Sequence, residues 1–314
     1  MFRNMRGTAL MSRIESNDIK TDRGSIKELF GYEVVDYLGE GAGSRIYVVT
    51  HPSNKQVYAL KHVTVKKDKE VRFAEQLLNE FEVGRQISHP LIRKVVEAKV
   101  TRTLLRRLTE AALIMELVDG VALDASMPTD VEAIVDIFLQ VAQALQALHR
   151  AGFVHCDLKP NNILRCLDGS IKLIDLGQAC APLTVKQRIQ GTPDFISPEQ
   201  VKCEPVSVRT DVYNLGATLY WALCGKAMPT LFTIKRTENS FLMADNIPTP
   251  SELNPAVPQN LSAIVMDCVR IAPARRPADM GEVIRRLELV KSSMNRAAAS
   301  PVDDDFSRAA PNQA

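Results

Sequence analysis

The spacing of apolar and polar positions divides the chain into a strand-rich first part and a helix-rich second part. Short apolar runs bounded by turn residues predict strands over 32–38, 57–61, 95–103 and 111–117. The polar run 106–110 is the expected turn between the last two. A helix over 72–87 ends before Ser88-His89-Pro90, because the residue preceding a proline leaves the helical region. Val131, Ile134, Val135, Phe138, Ala142, Leu145 and Leu148 share one face at helical spacing and predict a core helix. Residues 171–174 read as a short strand. Further helices are expected over 211–224, with Asp211 at the N-cap, and over 261–271 and 278–290. The four prolines of 247–258 mark a connector. The polar stretch 1–28 reads as a flexible leader, and the Ala-, Ser-, Asp- and Asn-rich 293–314 as a disordered tail, leaving 29–292 as the folded region.

Composition narrows the class only a little. With 314 residues, 46% hydrophobic and 24% charged, the chain is an ordinary soluble globular type that can bury a large core. A formal net charge of +2 gives no argument for bulk nucleic-acid binding. Lys66, Lys67 and Lys69, and Arg102, Arg106 and Arg107, read as solvated surface. The six cysteines show no C-x-x-C spacing, which argues against a zinc site or a disulfide framework and fits a reducing, cytoplasmic setting. No window holds eighteen uninterrupted apolar residues, so no membrane span is expected.

The chemistry concentrates in His155-Cys156-Asp157-Leu158-Lys159-Pro160-Asn161-Asn162. Asp157 and Asn162 lie on a loop, since Pro160 between them breaks a helix. Asp175-Leu176-Gly177 follows thirteen residues beyond Asn162. An acid able to take a proton, a lysine for a phosphate, and an amide with a carboxylate for a divalent cation make up a phosphoryl-transfer centre. This order and spacing resembles the catalytic loop of eukaryotic-type protein kinases, H-R-D-L-x-x-x-N, followed by a variant of their D-F-G, and is most like the bacterial members. The resemblance covers about residues 30 to 292. It implies a bilobal α+β fold: a small lobe over 29–117 with a five-stranded antiparallel sheet and one helix, and a mainly helical large lobe over 118–292.

Other segments fit the same family. Gly39-Glu40-Gly41-Ala42-Gly43-Ser44-Arg45-Ile46 resembles its glycine-rich loop, with Ser44 where the third glycine belongs; glycines let backbone amides approach a polyphosphate closely. Lys61 closes a strand resembling V-A-I-K. Glu80, nineteen residues later, matches the helix glutamate that would pair with it. Glu82 competes for that part but points about 200° away round the helix, and Glu80 is preferred. Met115-Glu116-Leu117-Val118 resembles the gatekeeper and adenine-binding hinge, and Leu38, Ile46, Ala59 and Leu164 would sandwich the base. Gly191-Thr192-Pro193-Asp194-Phe195, Ser197-Pro198-Glu199 and Lys159 point to serine/threonine specificity. Arg276 would pair with Glu199, and Asp211 would brace the catalytic loop.

By this resemblance Asp157 orients and deprotonates a Ser or Thr hydroxyl of a protein substrate, Lys159 steadies the γ-phosphate of ATP, and Lys61 positions the nucleotide. Asn162 and Asp175 would hold Mg²⁺. Competing readings are a nucleotide-binding pseudokinase scaffold and a small-molecule kinase. The first is opposed by the presence of Lys61, Asp157 and Asp175, the second by Lys159 and the Gly191–Glu199 region. Two departures carry expectations. Gly84 stands where a large apolar residue is usual, which predicts a gap, a loosely held helix and a regulatory partner there. Cys156 replaces the arginine that would bind a phosphate on the activation segment, which predicts activity without phosphorylation of that segment.

Overall fold

The computed structural model describes residues 26–41, 43–235 and 247–299. Most of the leader and tail expected from the sequence, and Ala42 of the glycine cluster, lie outside the described residues. The small lobe is an antiparallel sheet in the order β1-β2-β3-β4-β6-β5, formed by Glu28–Leu29, Tyr32–Gly41, Ser44–Thr50, Val57–Thr64, Leu108–Met115 and Val95–Arg102. Alternation along β6 explains its central place. Ala111, Leu113 and Met115 face one way, Ala112 and Ile114 the other, and all are buried. On the first face lies helix α1, Val71–Gly84, packing Ala74 and Leu77 inward at helical spacing, while Val83 near its end joins the large-lobe core. Tyr32, Tyr47, Val49 and Leu60 cover the other face. Full burial of each large apolar side chain here contributes about 1.5–3 kcal/mol.

The sheet departs from the sequence reading in two places. It has six strands, not five, because the two-residue β1 folds back on β2 through Phe30 and Gly31, both at positive φ. Two residues carry no periodicity that a sequence reading can detect. The β5–β6 turn occupies residues 103–107 instead of 106–110. Leu108 is an apolar residue that reaches the core and draws its neighbours into the ladder, while Arg106 takes the left-handed conformation that closes the turn.

In the large lobe, α2 (Leu123–Ser126) precedes the core helix α3 (Val131–Arg150), whose N-terminus is capped by Asp130 accepting from the N–H of Ala133 at 2.8 Å. By length and hydropathy α3 passes for a membrane span, yet its apolar face is the centre of the large-lobe core. Helices α4 (Pro198–Lys202), α5 (Val208–Cys224), α6 (Leu231–Lys235), α7 (Pro250–Leu253, within the proline connector), α8 (Gln259–Cys268) and α9 (Met280–Ala299) follow. Ser207 caps α5, so Asp211 sits inside the first turn and is not the cap. Helix α9 runs to Ala299, so residues 293–299 are helical where disorder was expected.

A second small sheet, β7 (Gly120–Ala122), β8 (Ile163–Cys166) and β9 (Ile171–Leu173), carries the catalytic-loop segment and the aspartate after it. Leu173 joins the lobes: its N–H donates to the carbonyl of Leu91 at 2.8 Å and its carbonyl accepts from the N–H of Arg93 at 3.0 Å. The chemistry-bearing residues face one another across this junction.

Candidate active site

Lys61, on β4, aims its ammonium at Glu80 of α1, Nζ to Oε2 at 2.7 Å, and at Asp175, Nζ to Oδ1 at 3.4 Å. Glu80 is 2% exposed and also accepts from the guanidinium of Arg93 at 3.0 Å, so two cations share one buried carboxylate. Glu82 points to solvent and pairs with Arg85. Burial works against the charge on Lys61, but Asp175 and Glu80 outweigh it and raise its pKa. Burial would also push the Asp175 carboxyl up; Lys61, with Lys159 and Arg93 behind it, holds it at about 2 instead. Both groups are charged at neutral pH.

The catalytic-loop residues meet nearby. Lys159 Nζ lies 3.1 Å from Asp157 Oδ2, and the hydroxyl of Thr192 accepts from Lys159 at 3.0 Å while donating to Asp157 Oδ1 at 2.8 Å. The Asn162 amide donates to the carbonyl of Asp157 at 2.9 Å, and the Asn162 carbonyl accepts from the N–H of Ile174, next to Asp175. With Nδ2 committed, Oδ1 of Asn162 is the atom left for a ligand. An ionised carboxylate and an amide oxygen suit a hard divalent cation. Asp175 and Cys156 both adopt φ +64°, strained for residues with a Cβ.

The strain is held in place by the large lobe. Asp211, fully buried, accepts from the backbone N–H groups of His155 at 2.8 Å and Cys156 at 2.9 Å, and from His149 Nε2 at 2.8 Å. Gln200 Nε2 donates to the carbonyl of Cys156 at 2.7 Å. Glu199 forms a two-point ion pair with Arg276 at 2.7 and 2.8 Å and accepts from Thr210, fixing the end of the segment that begins at Asp175.

A protein kinase domain model matches residues 32–286. The chain belongs to the protein kinase family. It is 29% identical over 289 residues to a probable serine/threonine-protein kinase of Corynebacterium efficiens, covering 87% of this chain and 43% of that protein. It is 28% identical over 268 residues to the serine/threonine-protein kinase PknH of Mycobacterium tuberculosis, and 25% over 295 residues to PknD of Chlamydia pneumoniae. Those alignments cover 82% of this chain each, and 42% and 31% of the relatives. The chain spans less than half the length of these three relatives.

In kinase terms, the strand pair β2–β3 forms the roof of the cleft. Gly39 pairs with Ile46 and Gly41 with Ser44, whose hydroxyl donates to the Gly41 carbonyl at 2.9 Å. Gly43 has φ +81°, and a Cβ there would lie 2.7 Å from the ring of Phe73 on α1, so glycine is required twice over. Ile46, Ala59, Met115 and Leu117 belong to one apolar cluster. Leu38 and Leu164 are half-buried, the latter on β8. Just after β6, the Glu116 N–H donates to the carbonyl of Lys94, and its carboxylate is tied to Lys172 at 2.7 Å; Val118 leads from it into β7.

Three partners in this network were not anticipated from sequence. Arg93 is one and Gln200 another. The third is Asn79, whose amide donates to the carbonyls of Leu176 (3.3 Å), Gly177 (3.1 Å) and Ala179 (2.9 Å), fastening α1 to the start of the activation segment. Asparagine is a weak helix former, and its place in mid-helix beside Glu80 is the one signal that could have marked it. The gap expected at Gly84 is absent: a Cβ there would meet the side chain of Val95 at 2.9 Å. The helix packs closely on Val95 there, and the Lys61–Glu80 pair is formed.

Proposed function

We propose that this chain is an ATP-dependent serine/threonine protein kinase that transfers the γ-phosphate of ATP to hydroxyls of protein substrates. The observation that carries the reading is the Thr192 hydroxyl, held between Asp157 and Lys159. An alcohol already lies where its proton points at a carboxylate and its oxygen at an ammonium, which is the environment a substrate Ser or Thr requires. Asp157 receives the hydroxyl proton and aligns the oxygen, and Lys159 offsets charge on the transferring phosphoryl group. Lys61, fixed by Glu80, positions the α- and β-phosphates beneath the β2–β3 hairpin residues Gly39, Gly41, Gly43 and Ser44. Leu38, Ile46, Ala59 and Leu164 sandwich the adenine, and backbone groups of Met115, Glu116 and Val118 hydrogen-bond it. Mg²⁺ bound by Asn162 and Asp175 would neutralise phosphate charge. Six free cysteines support a reducing, cytoplasmic setting.

Activity without phosphate on the activation segment is part of the proposal. Protein groups hold the segment: Cys180 exchanges backbone hydrogen bonds with Val154, the Val206 N–H donates to the carbonyl of Thr184 while its own carbonyl accepts from Leu183, and Gln200 holds both Cys156 and Gln190. Purified protein with ATP, Mg²⁺ and a generic protein substrate should yield phosphoserine or phosphothreonine. Asp157→Asn should lower the rate by on the order of 10²–10⁴. Nucleotide binding without transfer would instead favour a pseudokinase scaffold.

A further inference from the structure

Cys156 and Cys180 take no part in the proposed transfer, yet their Sγ atoms lie 3.8 Å apart. They come from different segments. Cys156 precedes the catalytic aspartate and is buried, whereas Cys180 is half-buried at the start of the activation segment. The exchange of backbone hydrogen bonds between Val154 and Cys180, at 2.8 and 3.0 Å, holds the segments in register. On the far side of Cys180, Lys186 bonds the carbonyl of Gln178 at 3.0 Å, and the Thr184 hydroxyl bonds that of Ala181. The four other cysteines are free as well.

We propose that Cys156 and Cys180 are a reversible dithiol–disulfide pair, oxidised by a hydroperoxide such as hydrogen peroxide, that covalently joins the activation segment to the catalytic loop. Cys180 is the sulfur that meets the oxidant. The hydrogen bond from Cys156 and the nearby ammonium of Lys186 overcome the effect of burial and hold its thiol below the ordinary range, while Cys156 is held above it. In the first step the Cys180 thiolate attacks a peroxide oxygen and the O–O bond breaks. The displaced hydroxide takes a proton and leaves as water, and Cys180 becomes a sulfenic acid. In the second, Cys156 sulfur attacks Cys180 sulfur, the S–O bond breaks, and the hydroxide leaves as water with the proton from Cys156. Two thiols and one peroxide give one disulfide and two waters, each sulfur supplying one of the two electrons. A thiol reductant reverses the pair to dithiol.

The link has a mechanical consequence. The sulfurs must close from 3.8 Å to bonding distance. Cys156 cannot yield readily, because Asp211 holds its N–H and Gln200 its carbonyl. The displacement falls on Cys180 and on Ala179 before it, whose carbonyl is bonded by Asn79, the neighbour of Glu80 on α1. Oxidation therefore pulls on the element that positions Lys61.

The full-length chain, reduced and then treated with hydrogen peroxide, tests this by non-reducing tryptic mapping. Trypsin passes over Lys159–Pro160, so Cys156 and Cys180 fall in separate peptides, 151–165 and 173–186, each with a single cysteine. The expected product is those two peptides joined, separated by dithiothreitol and absent in Cys180→Ser. Turnover should fall by about tenfold on oxidation, return on reduction, and be insensitive to peroxide in Cys180→Ser. Cys156→Ser, which keeps a hydroxyl able to donate to Cys180, should leave Cys180 as an unresolved sulfenic acid, trapped by a dimedone probe. If that variant does not fold, the half-buried Cys180 substitution carries the test alone. Oxidation of Cys180 with Cys156 still a free thiol, or an unreacted Cys180 while other cysteines oxidise, would overturn the pair. The peptide link is read independently of kinase activity, so its failure is distinct from failure of the proposed function.

Discussion

Glu80 shows how single side chains set the behaviour of this site. A carboxylate 2% exposed is unstable without a cation, and Lys61 and Arg93 both supply one. Lys61→Met should therefore lower stability by only about 1 kcal/mol, because Arg93 still bonds the carboxylate. Lys61→Met with Arg93→Met should lower it by about 3–5 kcal/mol, more than the two single losses combined. Denaturant melts of the four proteins measure this, and simple additivity would argue that the carboxylate is not shared. Asp211 offers a pH-dependent counterpart. Burial opposes its charge, but the hydrogen bond and charge of His149 and the N–H of His155 prevail and depress its pKa. A folded-state pKa below the unfolded one gives stability that is whole above the unfolded value, about 3.9, and is lost as pH falls through the folded value. Asp211→Asn should be destabilised by about 1–3 kcal/mol at pH 7, with the gap narrowing as pH falls from 5 towards 2. A gap unchanged across that window would mean the charge of Asp211 is not what braces the loop.

At the scale of elements, α1 and the activation segment decide whether the site is assembled. Because Val95 occupies the space beside Gly84, Gly84→Leu should overpack the β5–α1 contact by about 1–3 kcal/mol and lower activity. A thermal melt and a rate measurement together check this, and a more active, equally stable variant would restore the idea of a gap. The activation segment is fixed by backbone pairing and by Gln200, without a cation from position 156. Thr184→Ala, and protein treated with a phosphatase, should both retain the untreated rate. A tenfold loss in both, about 1.4 kcal/mol of barrier, would show that a phosphate is needed. These elements also mark what was legible in the sequence. The Lys61–Glu80 and Glu199–Arg276 pairs were readable because their spacing follows from a family pattern. Asn79, Arg93 and Gln200 were not, because each meets partners distant in sequence through a side-chain amide or guanidinium that leaves no periodicity. Strand β1 and the last turns of α9 were missed for a related reason: two residues, and an alanine-rich stretch, carry almost no apolar signal.

Over the whole molecule, the division into a sheet-based and a helical lobe was legible in the change of period along the chain. The attachment between lobes was not. It runs through Leu173 and its bonds to the chain at Leu91 and Arg93, and through Asn79. That asparagine has a pharmacological consequence. Inhibitors that need Leu176 to leave its buried position must first break the bonds Asn79 makes to the three carbonyls around it. At about 1 kcal/mol each, this could weaken such compounds by about two orders of magnitude relative to those that bind the assembled cleft. Asn79→Ala should narrow that difference, making one amide a determinant of which inhibitor chemistry the cleft tolerates.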